Sequence, residues 1–569
     1  MLAFYRMWLF RKVRDFLFSR QVDILSAAVV LAVASLTSMV LGLVRDRVMT
    51  QFFGGNEIAV YFAAFRLPDT LFEILVIGSL SSAFIPTFIS YISHHKEKEA
   101  WRVTGIAINL ALSAFIFLAG LVFIFAGRLS EIIAPGFSPE EIALMTQLTR
   151  ILLLAQGFFV VSIFMTGVLR SFQRFLVPAL APIFYNLSII LAMVFFSSSL
   201  GIYAPVFGAV FGAAAHFLIQ LPLAISLGFR PNLSFDFSHP GVRRIVRLAA
   251  PRVVELGFFQ LLKFADLFFA SLINTASYAY LTFATHLELV PVSLFGISLA
   301  DAALPSLAYK AKDKGAFQQL FFATFRQIIF LVLPVAVIFI ILRIPLVRLA
   351  FGAAKFDWDS TVLTAYTLSL FAIGIIGQAL AFYFVRAFYA LQDTKTPVIV
   401  GVVDILFDIA LSAYFIIILK FPIWGLGLSS AIASLLQAAV LAIILIRRRG
   451  LPFLNFLVPS LKIVFASLAS GSVMYFIMKI LDRSAWDRRL SFLGNFVLPE
   501  EYSKFVLDTR YTKNLIFLTA LVMVIGALVY LAACRLLRVQ EVDILSKVWR
   551  RLPKLGRVRV PPPMLQHEH

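Results

Sequence analysis

Four ionisable residues lie on one face of an otherwise apolar stretch of the sequence. The segment PRVVELGFFQLLKFADLFFASL carries Arg252, Glu255, Lys263 and Asp266. At about 100° per residue, these four positions fall within an arc of about 80° and extend along about 21 Å of helix. Charged groups on a membrane helix are costly and typically line a water-filled cavity. We interpret the stripe as a cavity lining; mutual pairing, with the two ends in the lipid headgroups, is the alternative.

Two aspartates, Asp404 and Asp408, are four residues apart in a second apolar stretch and therefore share a helix face. Two carboxylates in lipid require a cation, a proton or a basic partner, and no Lys or Arg lies within that stretch. We predict a monovalent-cation site whose oxygen ligands suit Na⁺ or H⁺ better than a transition metal. Its predicted ligands are Asp266, Asp404, Asp408 and Ser430. Two protonated aspartic acids, hydrogen-bonded to neighbouring helices, are the alternative.

A second group of charges lies at the end of the first apolar run, within GLVRDRVMTQFFGG. Arg45 and Asp46 end that run, and Arg66 follows in a piece that we expect to be a short re-entrant or surface helix, broken by Pro68. The planar guanidinium of arginine binds two phosphate oxygens at once. These arginines and the basic residues of the stripe would therefore suit one anionic ligand. Snorkelling to the membrane interface is the alternative for Arg45 and Arg47.

No pattern of catalytic residues accompanies these charges. The sequence has no phosphate-binding loop, no His cluster with metal-ligand spacing and no nucleophile elbow. His286 and Glu288 are two residues apart and point to different faces of a helix. The single Cys534 excludes an intrachain disulfide and a multi-Cys metal site. We therefore expect a protein that is not an enzyme and has no cofactor beyond a coupling ion, Na⁺ or H⁺.

The elements that position these residues are membrane helices. The chain has 569 residues, of which 61% are hydrophobic and 14% are charged, whereas soluble domains carry about 25% charged residues. Repeated apolar stretches of about 20 residues indicate a polytopic α-helical membrane protein. The net charge of +20 fits the excess of Lys and Arg expected in cytoplasmic loops, so we expect no nucleic-acid binding.

An internal repeat organises the predicted helices. The stretch RSFQRFLVPALAPIFYNLSIILAMVF (170–195) resembles RAFYALQDTKTPVIVGVVDILFDIALSAYF (386–415). Two such copies predict two six-helix lobes around a central cavity, as in many transporters, followed by two C-terminal helices. Close packing of small residues is a further explanation for part of the similarity. The predicted fold is all-α and integral to the membrane, with about 14 transmembrane helices.

The boundaries of these parts follow from the apolar runs and the charged links between them. The predicted order is a basic interfacial segment (1–22), an N-terminal lobe (23–228), a C-terminal lobe (229–450), two additional helices (451–538) with an external loop (482–512), and a basic tail (539–569). With both termini placed in the cytoplasm, about two-thirds of the Lys and Arg residues fall on that side.

Several stretches together resemble a known family. LGLVRD, AFRLPD, GSLSSAFIPTF, APGF, RFLVPALAPIFYN, FGISLADAALPSLA and RAFYALQDTKTPV occur in the same order as in the MurJ/MviN family of lipid II flippases, between about residues 25 and 450. The family belongs to a larger superfamily of multidrug and polysaccharide exporters. The resemblance implies fourteen helices in two lobes around a cationic cavity.

The resemblance also implies roles for particular residues. Arg45 and Asp46 match the family's Arg-Asp pair at the cavity, and Arg66 stands where the family usually has a basic residue. His286 occupies a position that is frequently basic in the family. The substrate-binding set is thus Arg45, Asp46, Arg66, Arg252, Lys263 and His286. The predicted cation ligands match the family region associated with a monovalent cation.

Several charges common in the family are missing from this chain. The family commonly has Arg, an acidic residue, Arg and Glu near the positions of Met39, Ala59, Phe72 and Ile77, respectively. These departures leave open which headgroup binds. We expect Lys263 and Arg252 to compensate for the missing basic residues.

The function implied by the resemblance is translocation of lipid II, an undecaprenyl-diphosphate-linked disaccharide pentapeptide. We expect alternating access from the inner to the outer leaflet of the bacterial cytoplasmic membrane, driven by the membrane potential and a monovalent cation. We expect a monomer in the bilayer, with cell-wall polymerases as candidate partners. The alternatives are an exporter of another polyprenyl-diphosphate-linked glycan or of a drug, a membrane glycosyltransferase, and a scaffold that transports nothing.

Overall fold

A computed structural model describes residues 24–77, 83–230, 232, 234–236, 238–484 and 506–543. The side chains of residues 24–29 and 250–255 are outside this description, as are the predicted interfacial segment and most of the external loop and basic tail. The described chain is all-α and has no β-strand, apart from one isolated bridge between Asp482 and Leu507. The predicted fold class is confirmed.

The helices of the first part of the chain are numbered α1 to α9. They are α1 (Ile24–Phe52), α2 (Gly55–Ala64), α3 (Arg66–Phe72), α4 (Ile85–Ser93), α5 (Glu97–Ile133), α6 (Pro139–Ser171), α7 (Leu176–Leu200), α8 (Tyr203–Leu218) and α9 (Leu221–Ser226). A π-helical segment, Glu73–Ile77, continues α3.

The remaining described helices are numbered α10 to α19. They are α10 (Pro240–Ile273), α11 (Thr275–Pro291), α12 (Ser298–Tyr309), α13 (Lys314–Ile341), α14 (Arg343–Phe351), α15 (Trp358–Ala390), α16 (Lys395–Ala413), α17 (Trp424–Arg449), α18 (Leu454–Leu481) and α19 (Thr512–Leu536). Two more π-helical segments, Val292–Ile297 and Tyr414–Ile418, follow α11 and α16.

Twelve helices are long and apolar enough to cross a membrane in the part of the chain that the structure describes. The segment α1 and the interrupted run from α3 to α4 correspond to the two further predicted spans. A polytopic membrane protein is therefore confirmed, and the predicted number of spans is approximate.

The piece from Gly55 to Phe72 differs from its prediction. The expected short helix is present, but the break expected at Pro68 is wrong, because α2 ends at Ala64 and α3 begins at Arg66. The re-entrant or surface placement of the piece stays a prediction. Pro68 lies in the first turn of α3, where a helix tolerates a residue without an N–H donor. The proline therefore lies in the first turn of the second helix, two residues after its start at Arg66, and does not end the first helix.

Packing divides the chain into two compact units. The first comprises Met1–Val290, Leu346–Phe371 and Val398–Ala433, and the second comprises Pro291–Pro345, Ala372–Pro397 and Ser434–His569. The first unit holds the candidate site. The second has an aromatic core in which Phe321 stacks on Tyr383, with ring centroids 5.3 Å apart. The lobe boundaries inferred from the sequence stay a prediction.

The internal repeat inferred from the sequence has a counterpart in the backbone. Gln173 and Gln392 each follow a long helix and have positive φ angles of 58° and 61°. In each case the next N–H donates to the carbonyl five residues earlier, from Arg174 to Leu169 and from Asp393 to Phe388. Both helices thus end in the same Schellman-type turn.

The number of residues that separates Gln173 from Gln392, their sequence offset, also separates two other pairs of positions with irregular backbone. The π-helical segment Glu73–Ile77 is separated by the same offset from the start of the segment Val292–Ile297. Gly201 and Lys420 are also related by it, and both have a φ of 52°. Irregular backbone is rare in helices, so its recurrence at one constant offset supports an internal duplication.

Candidate functional site

A cavity of about 350 Å³ lies within the first unit. Its walls come from α1, from the region α2–α3 with the π-helical turn that follows, and from α6, α7 and α11. The ionisable residues that line it are Arg45, Arg66, Asp69, Glu73 and His286. A concave site with a few convergent polar groups is the usual form of a ligand-binding pocket.

Arg45 faces this cavity from α1 and is held by Asp46. Its Nε and one terminal nitrogen donate to Oδ1 of Asp46 at 3.0 and 2.8 Å. On the other side of the carboxylate, Nδ1 of His286 lies 2.7 Å from Oδ2. Asp46 is 1% exposed and Arg45 is 18% exposed. The buried carboxylate therefore orients two basic side chains that both line the cavity.

Asn186 of α7 fixes the other end of the Arg45 guanidinium. Its Oδ1 accepts from Arg45 at 3.3 Å, while its Nδ2 donates to Ser38 and to the Pro182 carbonyl. A guanidinium has five N–H donors, and three of those of Arg45 are used in these bonds. Two donors thus remain for a ligand on the cavity side.

The helix α3 presents a polar stripe to the cavity. Arg66, Asp69 and Glu73 follow at spacings of three and four residues and so share one face. Nε of Arg66 donates to the hydroxyl of Tyr278, and the guanidinium carbon lies 5.7 Å from that ring centre. The amide of Gln156 donates to Asp69.

Lys263 of α10 pairs with the carboxylate at the start of the π-helical turn. Its Nζ lies 2.8 Å from both oxygens of Glu73. Gln260, one turn earlier, donates to the same carboxylate and accepts from Thr70. This arrangement joins the stripe on α10 to the wall of the cavity.

The charges of the cavity lining are nearly balanced. Two guanidiniums face two carboxylates, Asp69 and Glu73, with one imidazole in addition. Lys263 supplies a further cation that is already paired with Glu73. The lining is therefore not a purely cationic surface.

Arg47 is only two residues beyond Arg45 but has a different environment. Its guanidinium donates to the carbonyls of Arg348 and Leu349 at the end of α14, at 3.1 and 2.8 Å. Thr50 donates to the Phe351 carbonyl at 2.7 Å. These bonds satisfy the last carbonyls of a helix, which have no partner within it.

The predicted cation site is assembled only in part. Asp266 lies within electrostatic range of Asp408, and so does Asp404. Ser412 contacts Asp408 at 3.5 Å and Ser429 at 2.7 Å, whereas Ser430 is half-buried. Within the described ranges, no group of three His, Cys, Asp or Glu side chains could hold a metal ion.

The structure thus brings Arg45, Asp46, Arg66 and His286 together and places Lys263 beside them through Glu73. Arg252 belongs to α10, but its side chain is outside the described part. Asp69, Gln156 and Asn186 are polar residues of the site that were not predicted from the sequence. Their signal is a buried polar group within an apolar run, and its partners lie on distant parts of the chain.

Comparison with known proteins identifies a family. The family model described as "Lipid II flippase MurJ" matches residues 48–493. The chain is 27% identical over 484 residues to "Probable lipid II flippase MurJ" of Buchnera aphidicola, covering 84% of this chain and 93% of that protein. It is also 27% identical to "Lipid II flippase MurJ" of Burkholderia cenocepacia, covering 78% and 87% of the two chains.

Solved structures show the same fold. A structure of "Lipid II flippase MurJ, inward closed conformation" has a TM-score of 0.72 and 23% identity, covering 91% of this chain and 100% of that one. An inward-facing multidrug resistance transporter of the MATE family has a TM-score of 0.61 and 13% identity, covering 74% and 98%. At these identities, the structural matches establish the fold.

Proposed function

The chain belongs to the lipid II flippase MurJ family, and from this premise we propose that it moves lipid II from the inner to the outer leaflet of the bacterial inner membrane. Family membership makes it a multi-pass transporter and not an enzyme. The observation that carries the proposal is the cavity in which Asp46 orients Arg45 and His286.

The diphosphate of the substrate would bind at Arg45. This guanidinium keeps two donors beyond those used by Asp46 and Asn186, and guanidinium–phosphate pairs are strong and geometrically specific. His286 and Arg66 line the same cavity and would add positive charge. The undecaprenyl chain would stay in the bilayer while the headgroup occupies the cavity.

Translocation would proceed by alternating access. The headgroup would enter the cavity from the cytoplasmic side, and a rearrangement of the helices would open the cavity to the outside. A membrane potential that is negative inside favours the outward movement of an anion by about 2.3 kcal/mol per charge per 100 mV. The potential would therefore drive the loaded step.

A monovalent cation would drive the return of the empty protein. Asp266, Asp404 and Asp408 place like charges near one another, and a bound Na⁺ or H⁺ would relieve their repulsion. Replacement of both Asp404 and Asp408 by Asn is expected to slow cycling without unfolding the protein. Normal turnover of that double variant, measured in proteoliposomes, would refute the coupling role.

A second candidate is an exporter of another polyprenyl-diphosphate-linked glycan. The balanced charges of the lining and the presence of Met39, Phe72 and Ile77 in place of common family charges favour it. The proposal also includes three properties that follow from the sequence analysis. Both termini lie in the cytoplasm, the protein is a monomer, and cell-wall polymerases are its candidate partners.

The test is complementation with a direct readout. The chain is expressed in a bacterium whose own lipid II flippase can be switched off, and lipid II is assayed for accessibility to an enzyme added outside. We expect wild type to restore accessibility and Arg45→Ala to abolish it. Arg150→Ala is the matched control, because Arg150 donates to the Phe123 carbonyl and does not line the cavity.

The outcomes separate the candidates. Restoration by wild type and by the control, with loss in Arg45→Ala, supports both the substrate and the cavity. No restoration by a well-expressed wild-type chain would refute lipid II as the substrate and favour a different lipid-linked glycan. Full activity of Arg45→Ala would refute the role of the cavity.

A further inference from the structure

One buried acceptor in the cavity wall has no hydrogen-bond partner in the part of the chain that the structure describes. Gln156 lies on α6, is 4% exposed and lines the cavity. Its Nε2 donates to Oδ1 of Asp69. Its Oε1 is buried and has no hydrogen-bond partner among the residues that the structure describes. Buried polar atoms are nearly always paired, so this oxygen needs an explanation.

The orientation of the amide follows from its neighbour. The nitrogen of Gln156 donates to Asp69, as an ionised carboxylate requires because it only accepts hydrogen bonds, and the oxygen faces elsewhere. The unsatisfied atom is therefore an acceptor. A ligand that satisfies it must bring an O–H or N–H donor, which a diphosphate does not have.

The surroundings of Gln156 are aromatic. Phe159, one turn later on α6, lies 5.2 Å from Tyr185 and 5.9 Å from Phe72, measured between ring centres. All three rings line the cavity. Aromatic rings beside carboxylate and amide acceptors suit a pyranose, whose C–H groups pack on the rings while its hydroxyl or acetamido groups donate hydrogen bonds.

The size of the cavity limits what can bind with the diphosphate. At about 350 Å³ it lies near the lower end of the range of ligand pockets, roughly 300–1,000 Å³. In this conformation the space suits a diphosphate with one attached sugar ring. The cavity must widen to admit the second sugar and the peptide as well.

We propose that Gln156, with Asp69, Phe72, Phe159 and Tyr185, forms a carbohydrate subsite for the sugar attached directly to the diphosphate. This inference rests on the proposed function and adds a specificity determinant to it. Gln156 accepts a hydrogen bond from a hydroxyl or acetamido group of that sugar. Its oxygen is closed off in this conformation, so the cavity wall adjusts as the ring enters.

The experiment compares two soluble short-chain probes on the full-length protein in nanodiscs. One probe is farnesyl diphosphate, and the other is farnesyl diphosphate linked to a single N-acetylhexosamine. Wild type is expected to bind the sugar-bearing probe roughly tenfold more tightly. Gln156→Met, which keeps the length of the side chain, is expected to bind both probes almost equally, so that the preference for the sugar-bearing probe is lost.

Two further variants complete the design. Gln147→Met is the matched control, because Gln147 lies on the same helix, is exposed and bonds to Tyr203 outside the cavity. It should keep the wild-type preference. Tyr185→Leu removes a ring of the subsite and should reduce the preference as well, so the inference stays testable if Gln156→Met does not fold.

The outcomes are distinct. An unchanged preference in both Gln156→Met and Tyr185→Leu would overturn the subsite, and so would an equal loss of affinity for both probes. Equal binding of the two probes by wild type would overturn it while leaving the proposed function intact. Failure of wild type to bind either probe would overturn the proposed function and the subsite together.

Discussion

Two faces of one turn of α1 carry arginines with opposite roles. Arg45 faces the cavity, where Asp46 and Asn186 orient it and two of its donors remain for a ligand. Arg47, two residues on, faces the end of α14 and donates to two backbone carbonyls. The residue type is the same, and the spacing of two rotates the second side chain by about 200° around the helix.

The difference shows what decides the role of a membrane arginine. On the Arg47 face the partners are backbone carbonyls at the end of α14. On the Arg45 face the partners are the side chains of Asp46 and Asn186, and two guanidinium donors remain beyond these bonds. Snorkelling, the alternative considered for both residues, describes neither of them in this structure.

The largest expected effect is on the cavity face. Arg45→Ala should lower transport by roughly 100-fold or more, because truncating a buried charge partner typically costs about 2–5 kcal/mol. Lipid II accessibility in the complementation strain measures it. The variant should fold with reduced stability, since Asp46 loses one basic partner but keeps its contact with His286. The amount of the variant in the membrane is the control. If transport is lost only because the variant is absent from the membrane, the loss of a ligand contact is not the explanation.

The buried carboxylate behind Arg45 gives the next effect. Asp46→Asn leaves the Arg45 guanidinium without its counter-charge, and we expect a loss of about 3 kcal/mol in the free energy of unfolding. Thermal unfolding in detergent measures it. The double variant Arg45→Met/Asp46→Asn should recover part of that loss. Strictly additive effects of the two substitutions would show that the pair is not coupled.

On the other face, Arg47→Met should affect stability and not binding. Two hydrogen bonds from a charged donor to carbonyls are lost, so we expect a decrease of about 1.5–3 kcal/mol in the free energy of unfolding. The affinity for farnesyl diphosphate should stay at the wild-type value. A reduced affinity in a fully folded sample would mean that Arg47 also contacts the ligand, and the distinction between the two faces would fail.

The smallest effect should come from a neighbouring hydroxyl. Thr50→Val keeps the shape of the side chain but removes the bond to the Phe351 carbonyl, and we expect a loss of about 1 kcal/mol in the free energy of unfolding. Thr70→Val, on the cavity side, provides a comparison, because Thr70 bonds to Gln260 near Glu73. If Thr50→Val alters transport more than stability, this face of α1 is not purely structural.

The sequence was sufficient for the fold class and for the most strongly charged part of the site. Arg45, Asp46 and Arg66 could be found because charges in apolar runs are rare and therefore informative, whereas His286 entered the predicted set through the family resemblance. The repeat was visible because its two copies keep similar residues around the turns that end α6 and α15. The break in the helical piece around Pro68 was placed at the wrong residue, because a proline in a first turn and a proline that breaks a helix look alike in a sequence.

The neutral parts of the site could not be predicted. Gln156 and Asn186 are single polar residues in apolar spans, where most such residues only satisfy a neighbouring backbone group. Their roles depend on partners 87 and 141 residues away, Asp69 and Arg45. Such pairings come from the tertiary packing of helices and leave no local pattern. The pairing of Lys263 with Glu73 is of the same kind.

The constant offset between the irregular turns has a consequence for the cavity residues. When the same offset is applied to the cavity residues, Tyr61 corresponds to Tyr280, but Arg66 corresponds to Thr285 and Glu73 to Val292. By the same offset, Tyr185 of the cavity corresponds to Asp404, a ligand of the predicted cation site. The two copies therefore carry different polar residues at corresponding positions while retaining the same irregular turns.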